Sequence, residues 1–321
     1  MRRLALLLGL LVLGGCRPRD EGLTLVEAPS VAPADIDARP LGLLPRGALV
    51  LGRLEGRALF GSPLASATGT LVRRVLPLGR ESNFDAARDV ERVHGAFYAM
   101  QGADFCAVLQ GSFDVASIER AAEARATTST GAPLVRTRYA GRTLYTAGNL
   151  GFVVLTPRTL LSGDETGLRR ALDRLRSGKL EVELPGWMTA TLAEPKAAFA
   201  VVGDLERNGV TRAAADHARF VDGLSTLRIL GNFEPPGVHV VGALGYRGPD
   251  EATKARLSLE EFQQMSALAS IFTAFAGVIP PRLDVTMNGR ELAFASAVDT
   301  GFLQVVLATA SAAIRPSNAG W

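Results

Sequence analysis

Cysteine, histidine and aromatic side chains are scarce in this chain, and each shortage excludes a class of function. Two cysteines and three histidines occur among 321 residues, and Phe, Trp and Tyr together make up 6%. Cys16 and Cys106 stand ninety positions apart, so there is neither a C-x-x-C redox pair nor a cysteine-rich zinc motif. His94, His217 and His239 are as dispersed, and a metal centre needs several ligands converging. No metal and no cofactor are therefore expected, and the histidines read as satisfied or exposed. The nucleophile elbow, phosphate loop, zinc-protease and dinucleotide signatures are all missing. Acidic residues are scattered rather than paired. Asp250-Glu251 and Glu260-Glu261 come closest, each where a helix is expected to begin and to favour negative charge. "RLSLEEF" supplies Ser258 and Glu261 as a capping box, with Leu257 and Phe262 at staple spacing. These absences point to a chain that is not an enzyme.

An excess of one charge is lacking too. Lys and Arg number 35 against 32 Asp and Glu, and without Arg2 and Arg3 the balance is 33 to 32. Such a surface has no electrostatic footprint for nucleic acid. Long apolar runs are equally short: Leu4 to Leu13 is uncharged but half the length of a membrane-spanning helix, about 20 residues. With Arg2-Arg3 before it and small residues after it, the run reads as a secretory leader.

The end of that leader is more specific. Leu13-Gly14-Gly15-Cys16 resembles the lipobox of bacterial lipoproteins. The resemblance implies a signal peptide over residues 1–15 and an acylated Cys16 at the start of the mature chain. It also implies export across the inner membrane and a partner in the membrane itself, reached through palmitate-like chains on Cys16. Two or more chains anchor stably where one holds only marginally. In the family's best-known sorting rule an aspartate after the cysteine retains the protein at the inner membrane. Arg17 therefore favours the periplasmic face of the outer membrane.

Residues 16–45 are rich in Pro, Asp and Glu without sustained periodicity, and read as a lipidated N-terminus and flexible tether. Beyond them the chain repeats itself. "VLGRLE" at 50–55 returns as "VVGDLE" at 201–206, "GRTL" at 141–144 as "GREL" at 289–292, and "DETGL" at 164–168 as "DTGF" at 299–302. The first pair reads as buried strands. The second reads as hairpins turning at Ala140-Gly141 and Asn288-Gly289. The third opens helices: Leu168, Ala171, Leu172 and Leu175 share a face ended by Gly178, and Phe302, Val305, Val306 and Thr309 follow the same spacing. The expected fold is α+β, with two tandem pseudo-repeats, each a mostly antiparallel sheet carrying helices. The first unit covers 46–178, a linker 179–193 and the second unit 194–321. "NFDAARDVERV" and "GSFDVASIERA" also resemble secreted lipoproteins of GC-rich Gram-negative bacteria of the myxobacterial type, over residues 45–177. That resemblance implies no activity.

Cys106 lies in "ADFCAVLQG", apolar on both faces, and reads as an inert core thiol. The uncharged stretch from Gln263 to Pro281 puts Leu268, Ile271, Phe272 and Phe275 around one helix. Such a helix is buried, or it shields a groove for an apolar ligand or a partner protein. The leading expectation is a non-catalytic binding or scaffolding protein of the envelope, with an envelope protein as partner. A lipid carrier would instead need an enclosed apolar cavity on the order of several hundred Å³. An enzyme with an unrecognised site would show a cleft with displaced titrating groups.

Overall fold

The computed structural model describes residues 31–76, 78, 80–98, 104–124, 133–206, 219–235, 237–273 and 281–313. Leu13, Gly14, Gly15, Cys16, His217 and Phe275 lie outside them. The side chains of Leu268, Ile271 and Phe272 do too, although their backbone belongs to a helix. The apolar face expected there is thus outside the described residues.

Among the described residues, twelve strands form one sheet. They are β1 (Val50–Glu55), β2 (Val90–Phe97), β3 (Phe105–Gly111), β4 (Val135–Tyr139), β5 (Arg142–Ala147) and β6 (Leu150–Val154), then β7 (Thr159–Asp164), β8 (Phe199–Asp204), β9 (Leu224–Asn232), β10 (Gly237–Tyr246), β11 (Arg282–Asn288) and β12 (Glu291–Asp299). The order across the sheet is β11-β12-β10-β9-β8-β1-β2-β3-β7-β6-β5-β4. Every pairing is antiparallel, as the α+β reading expects.

The first copy of the repeated hexapeptide is β1, and the first four residues of the second lie in β8; the two strands pair with each other at the centre. Leu51 faces Val202, the residue 151 positions on that occupies its place in the repeat. A local two-fold axis therefore passes through that pair. Strands run outward from it as β1-β2-β3-β7-β6 on one side and β8-β9-β10-β12-β11 on the other. The β4-β5 hairpin has no counterpart, so the "GRTL" and "GREL" echoes do not occupy equivalent places. The turn chemistry is otherwise close to expectation. Tyr139 pairs with Arg142 across Ala140-Gly141, both at positive φ. In the second hairpin Asn288 pairs with Glu291, so the loop is Gly289-Arg290, one residue later than expected.

Helices cover both faces of the first half. Leu168, Ala171, Leu172 and Leu175 of the helix Glu165–Arg176 pack on Leu51, Ala96, Cys106 and Val108. Ile118 of Val115–Glu123 joins Leu109, Phe152 and Leu160 on the opposite face. The second half is asymmetric. Ala252, Ala255 and Leu259 of Pro249–Thr273 pack with Leu244, Tyr246 and Leu292, and Leu303 and Leu307 of Thr300–Ala313 pack with Val238. These partners alternate with Val241, which points to the other face and is 52% exposed.

Three expectations are corrected. Within the stretch expected as tether, 33–38 and 40–43 are helical turns that put Ile36 and Leu43 fully into the core. The 179–193 linker contains the helix Gly186–Leu192, whose Met188 and Leu192 are buried in the same core. Ser258 and Glu261 cap nothing, since their helix begins at Pro249 with Asp250 and Glu251 in its first turn.

Candidate functional site

Alternation along the strands of the first half builds a surface that changes character row by row. Successive side chains of a strand point to opposite faces, so Leu51, Arg53 and Glu55 share one. The register joins them to β2 and β3 as three rows: Leu51–Ala96–Cys106, Arg53–His94–Val108 and Glu55–Arg92–Gln110. The first row is core, the second mixed and the third polar. Where the core runs out, the sheet becomes the floor of a groove of about 1150 Å³.

The two segments that read as tether and linker form its walls. Asp37, Ala38, Arg39, Pro40 and Leu41 stand on one side; Leu180 to Val182 and Thr189 to Pro195 contribute to the other. The walls are tied together by Arg174, whose Nε donates to the Gly42 carbonyl at 2.9 Å and whose Nη2 donates to that of Glu181 at 3.0 Å. They touch at Gly42, where a β-carbon would lie 2.1 Å from the Leu180 carbonyl oxygen, so only glycine permits this approach. Thr156 and Thr159 donate to Asp37 Oδ1 at 2.5 and 2.6 Å, and Gln110 donates to the Asp37 carbonyl at 2.7 Å. Beyond Glu55, Arg92 and Gln110 the floor continues into a hollow of about 370 Å³ bordered by Arg57, Glu91 and Arg158.

Two side chains in the floor are buried with unmatched polar atoms. Arg53, 7% exposed, donates from Nη2 to the carbonyls of Glu194 and Ala197 at 2.7 and 2.6 Å, yet its Nε has no partner. His94, 6% exposed, has a partner at neither ring nitrogen. It is thus neither the satisfied nor the exposed histidine that the sequence suggested. Burial, then the neighbouring Arg92 and Arg53 charges, push its pKa down to about 4, so it is neutral at pH 7. Glu55 faces both arginines: Arg92 donates to its two oxygens at 2.8 and 3.3 Å, and Arg53 Nη1 lies 3.6 Å away.

The other sequence candidates do not join this groove. His239 is exposed on β10, separated from β2 by three strands. Among the described residues no three His, Cys, Asp or Glu side chains gather to hold a metal. Cys106 is fully buried in the apolar row, its pKa pushed up to about 12, mainly by burial and then by the Asp164 charge. That is an inert thiol. A hollow of about 550 Å³ lies between Phe60, Leu76, Leu78 and Phe84, with Asp85 on its lining. It is half open, unlike the enclosed cavity that an apolar carrier needs.

The repeat shows how far the site has diverged. Asp204 and Thr226, which pair across β8 and β9, occupy the places of Arg53 and His94 in the second half. Sequence reasoning missed the groove because Asp37 and Glu181 read as tether and linker. The signal available was the polar alternation in "LGRLE" and "ERVHG", two strands that turn charged at one end only.

No helix among the described residues is long and apolar enough to cross a membrane. Compared with known proteins, the sequence matches no family model and no curated protein. The fold is similar to that of the treponemal protein TP0453. Its crystal form III aligns with a TM-score of 0.53 at 14% identity, over 84% of this chain and 98% of that one. Crystal form IV aligns with a TM-score of 0.51 at 13% identity, over 85% and 96%. The chain shares with TP0453 its fold, and at these identities the likeness extends no further.

Proposed function

We propose that this chain is a lipid-anchored periplasmic protein of the outer membrane that binds a partner or ligand in the groove and performs no catalysis. The anchor rests on Leu13-Gly14-Gly15-Cys16 and the leader before it. The binding role rests on one observation: His94 and Arg53 are buried in the groove floor with polar atoms unmatched. Buried polar atoms are nearly always satisfied, so each exception needs a reason, and a site for a ligand supplies one. The displaced His94 is also what an active site would show. A nucleophilic side chain hydrogen-bonded to it would favour that reading, and neither His94 nitrogen has a partner side chain.

Cys16→Ser is expected to abolish fatty-acid labelling and to move the chain into soluble fractions or leave the uncleaved precursor. A variant that still takes up label in the membrane would remove the anchor from the proposal. For the groove, Thr189→Trp fills the space from an exposed wall position, where surface substitutions are close to neutral. An extract of the native envelope is expected to raise the thermal midpoint of the parent protein and to leave Thr189→Trp unshifted. Equal shifts in both would place binding elsewhere.

A further inference from the structure

We infer that the floor of the groove is an oxyanion site, taking a carboxylate or phosphate group between Arg92 and Arg53 above His94, and that Glu55 fills this site while the ligand is absent. The inference rests on the binding reading above and gives it a ligand class. The geometry around Glu55 is that of a guest. Arg92 grips both of its oxygens with Nε and Nη2, the two-pronged arrangement in which a guanidinium recognises a planar carboxylate. Arg53 Nη1 stands at 3.6 Å on the same carboxylate.

Arg53 and His94 are fixed where Glu55 and Arg92 are not. Two backbone carbonyls hold Arg53 in place, and burial holds His94. The Glu55 side chain is 28% exposed and that of Arg92 is 46% exposed, so the pair can part and turn towards the groove. With Glu55 turned out, the floor holds two guanidinium groups, one neutral imidazole and the Gln110 amide, all able to donate. The other carboxylates on the lining are engaged or peripheral. Asp37 accepts two threonine hydroxyls, and Glu181 is exposed on the wall. Charge alone does not make the site, because Arg57 and Arg158 nearby are exposed and already face Glu91. The unmatched Nε of Arg53 and the single N–H of the neutral His94 imidazole mark the floor as short of acceptors, the other His94 nitrogen being itself an acceptor. The second half lacks these hosts, since Asp204 stands where Arg53 would.

The test uses the full-length chain in detergent, with the His94 imidazole resonances as reporter. Inorganic phosphate and succinate are titrated separately, and vesicles of phosphatidylcholine with and without phosphatidylglycerol form a second arm. Saturable shifts of His94 by either soluble anion are expected. Shifts that require phosphatidylglycerol would identify the oxyanion as a lipid headgroup, within the same inference. Glu55→Gln removes the competing charge and is expected to tighten binding about tenfold, while Arg92→Met is expected to weaken it at least about tenfold. His94 signals that ignore every anion, or equal affinities in the parent, Glu55→Gln and Arg92→Met, would overturn the inference. If the envelope extract still stabilises the parent and not Thr189→Trp in that case, the groove binds something other than an oxyanion. If the extract also has no effect, the binding reading falls with it.

Discussion

Replacing Leu51 with Asp is expected to unfold both halves of the sheet together. Leu51 is 4% exposed and lies between Val202 of β8 and Ala96 of β2, which are 0% and 1% exposed. A carboxylate there has no partner and keeps an effective desolvation penalty of several kcal/mol. A domain is stable by only about 5–15 kcal/mol, so the loss is a large part of the whole. The position matters as much as the chemistry. Pairing between β1 and β8 is what makes one sheet of two units, and the core around Leu51 includes Ala200 and Val202 from the second. Val202→Asp is expected to act alike from the other side. Hydrogen exchange at the amides of Leu244 and Tyr246, deep in the second half, reads the result. Protection lost there in step with the first half supports a single cooperative body. Retained protection in Leu51→Asp would mean that each half folds without the other.

Acidification is expected to cost about 3 kcal/mol through His94 alone. An unfolded histidine takes up its proton near pH 6.5, whereas folded His94 resists until about pH 4. Between these values the unfolded state binds a proton that the native state refuses. Stability therefore falls as pH falls, by about 1.4 kcal/mol per unit, and this contribution levels off below about pH 4. It is fully present above about pH 6.5. Carboxylates add their own acid sensitivity, so the parent must be compared with His94→Leu, which has nothing to titrate. Urea midpoints measured from neutral pH down to about pH 4 should diverge, the variant losing less. Parallel curves would show that His94 meets a counter-charge or water in solution.

Much of the architecture was legible from local pattern. The helix Glu165–Arg176 appears where its leucines and Gly178 place it, and the hexapeptide forms a strand in its first copy and over residues 201–204 of its second. What was not legible depends on contacts distant in sequence. Residues 33–44 have the composition of a linker, and only docking against the first-half core makes Ile36 and Leu43 structural. The helix starting at Pro249 runs straight through the capping-box signal at Ser258, because tertiary packing of Ala252, Ala255 and Leu259 outweighs a local cap. Thr300–Ala313 reads as the twin of Glu165–Arg176, yet it packs on the opposite face of the sheet, a choice that periodicity does not encode. The groove belongs to the same class. Arg53 and His94 become neighbours through strand register, and a strand does not announce its register.

The two-fold axis through Leu51 and Val202 has a consequence for stoichiometry. Two identical units joined edge to edge by the same strand would form a symmetric dimer, and such a dimer builds every pocket twice, in identical copies. A single chain carrying both units has no such obligation. Here one side of the axis presents Arg53 and His94, while the other presents Asp204 and Thr226. The β1–β8 pairing keeps the sealed edge that symmetry provides, while the side chains on either side of it differ. Among the described residues, a ligand held between Arg53 and His94 would therefore bind once per chain, where the symmetric dimer would bind it twice.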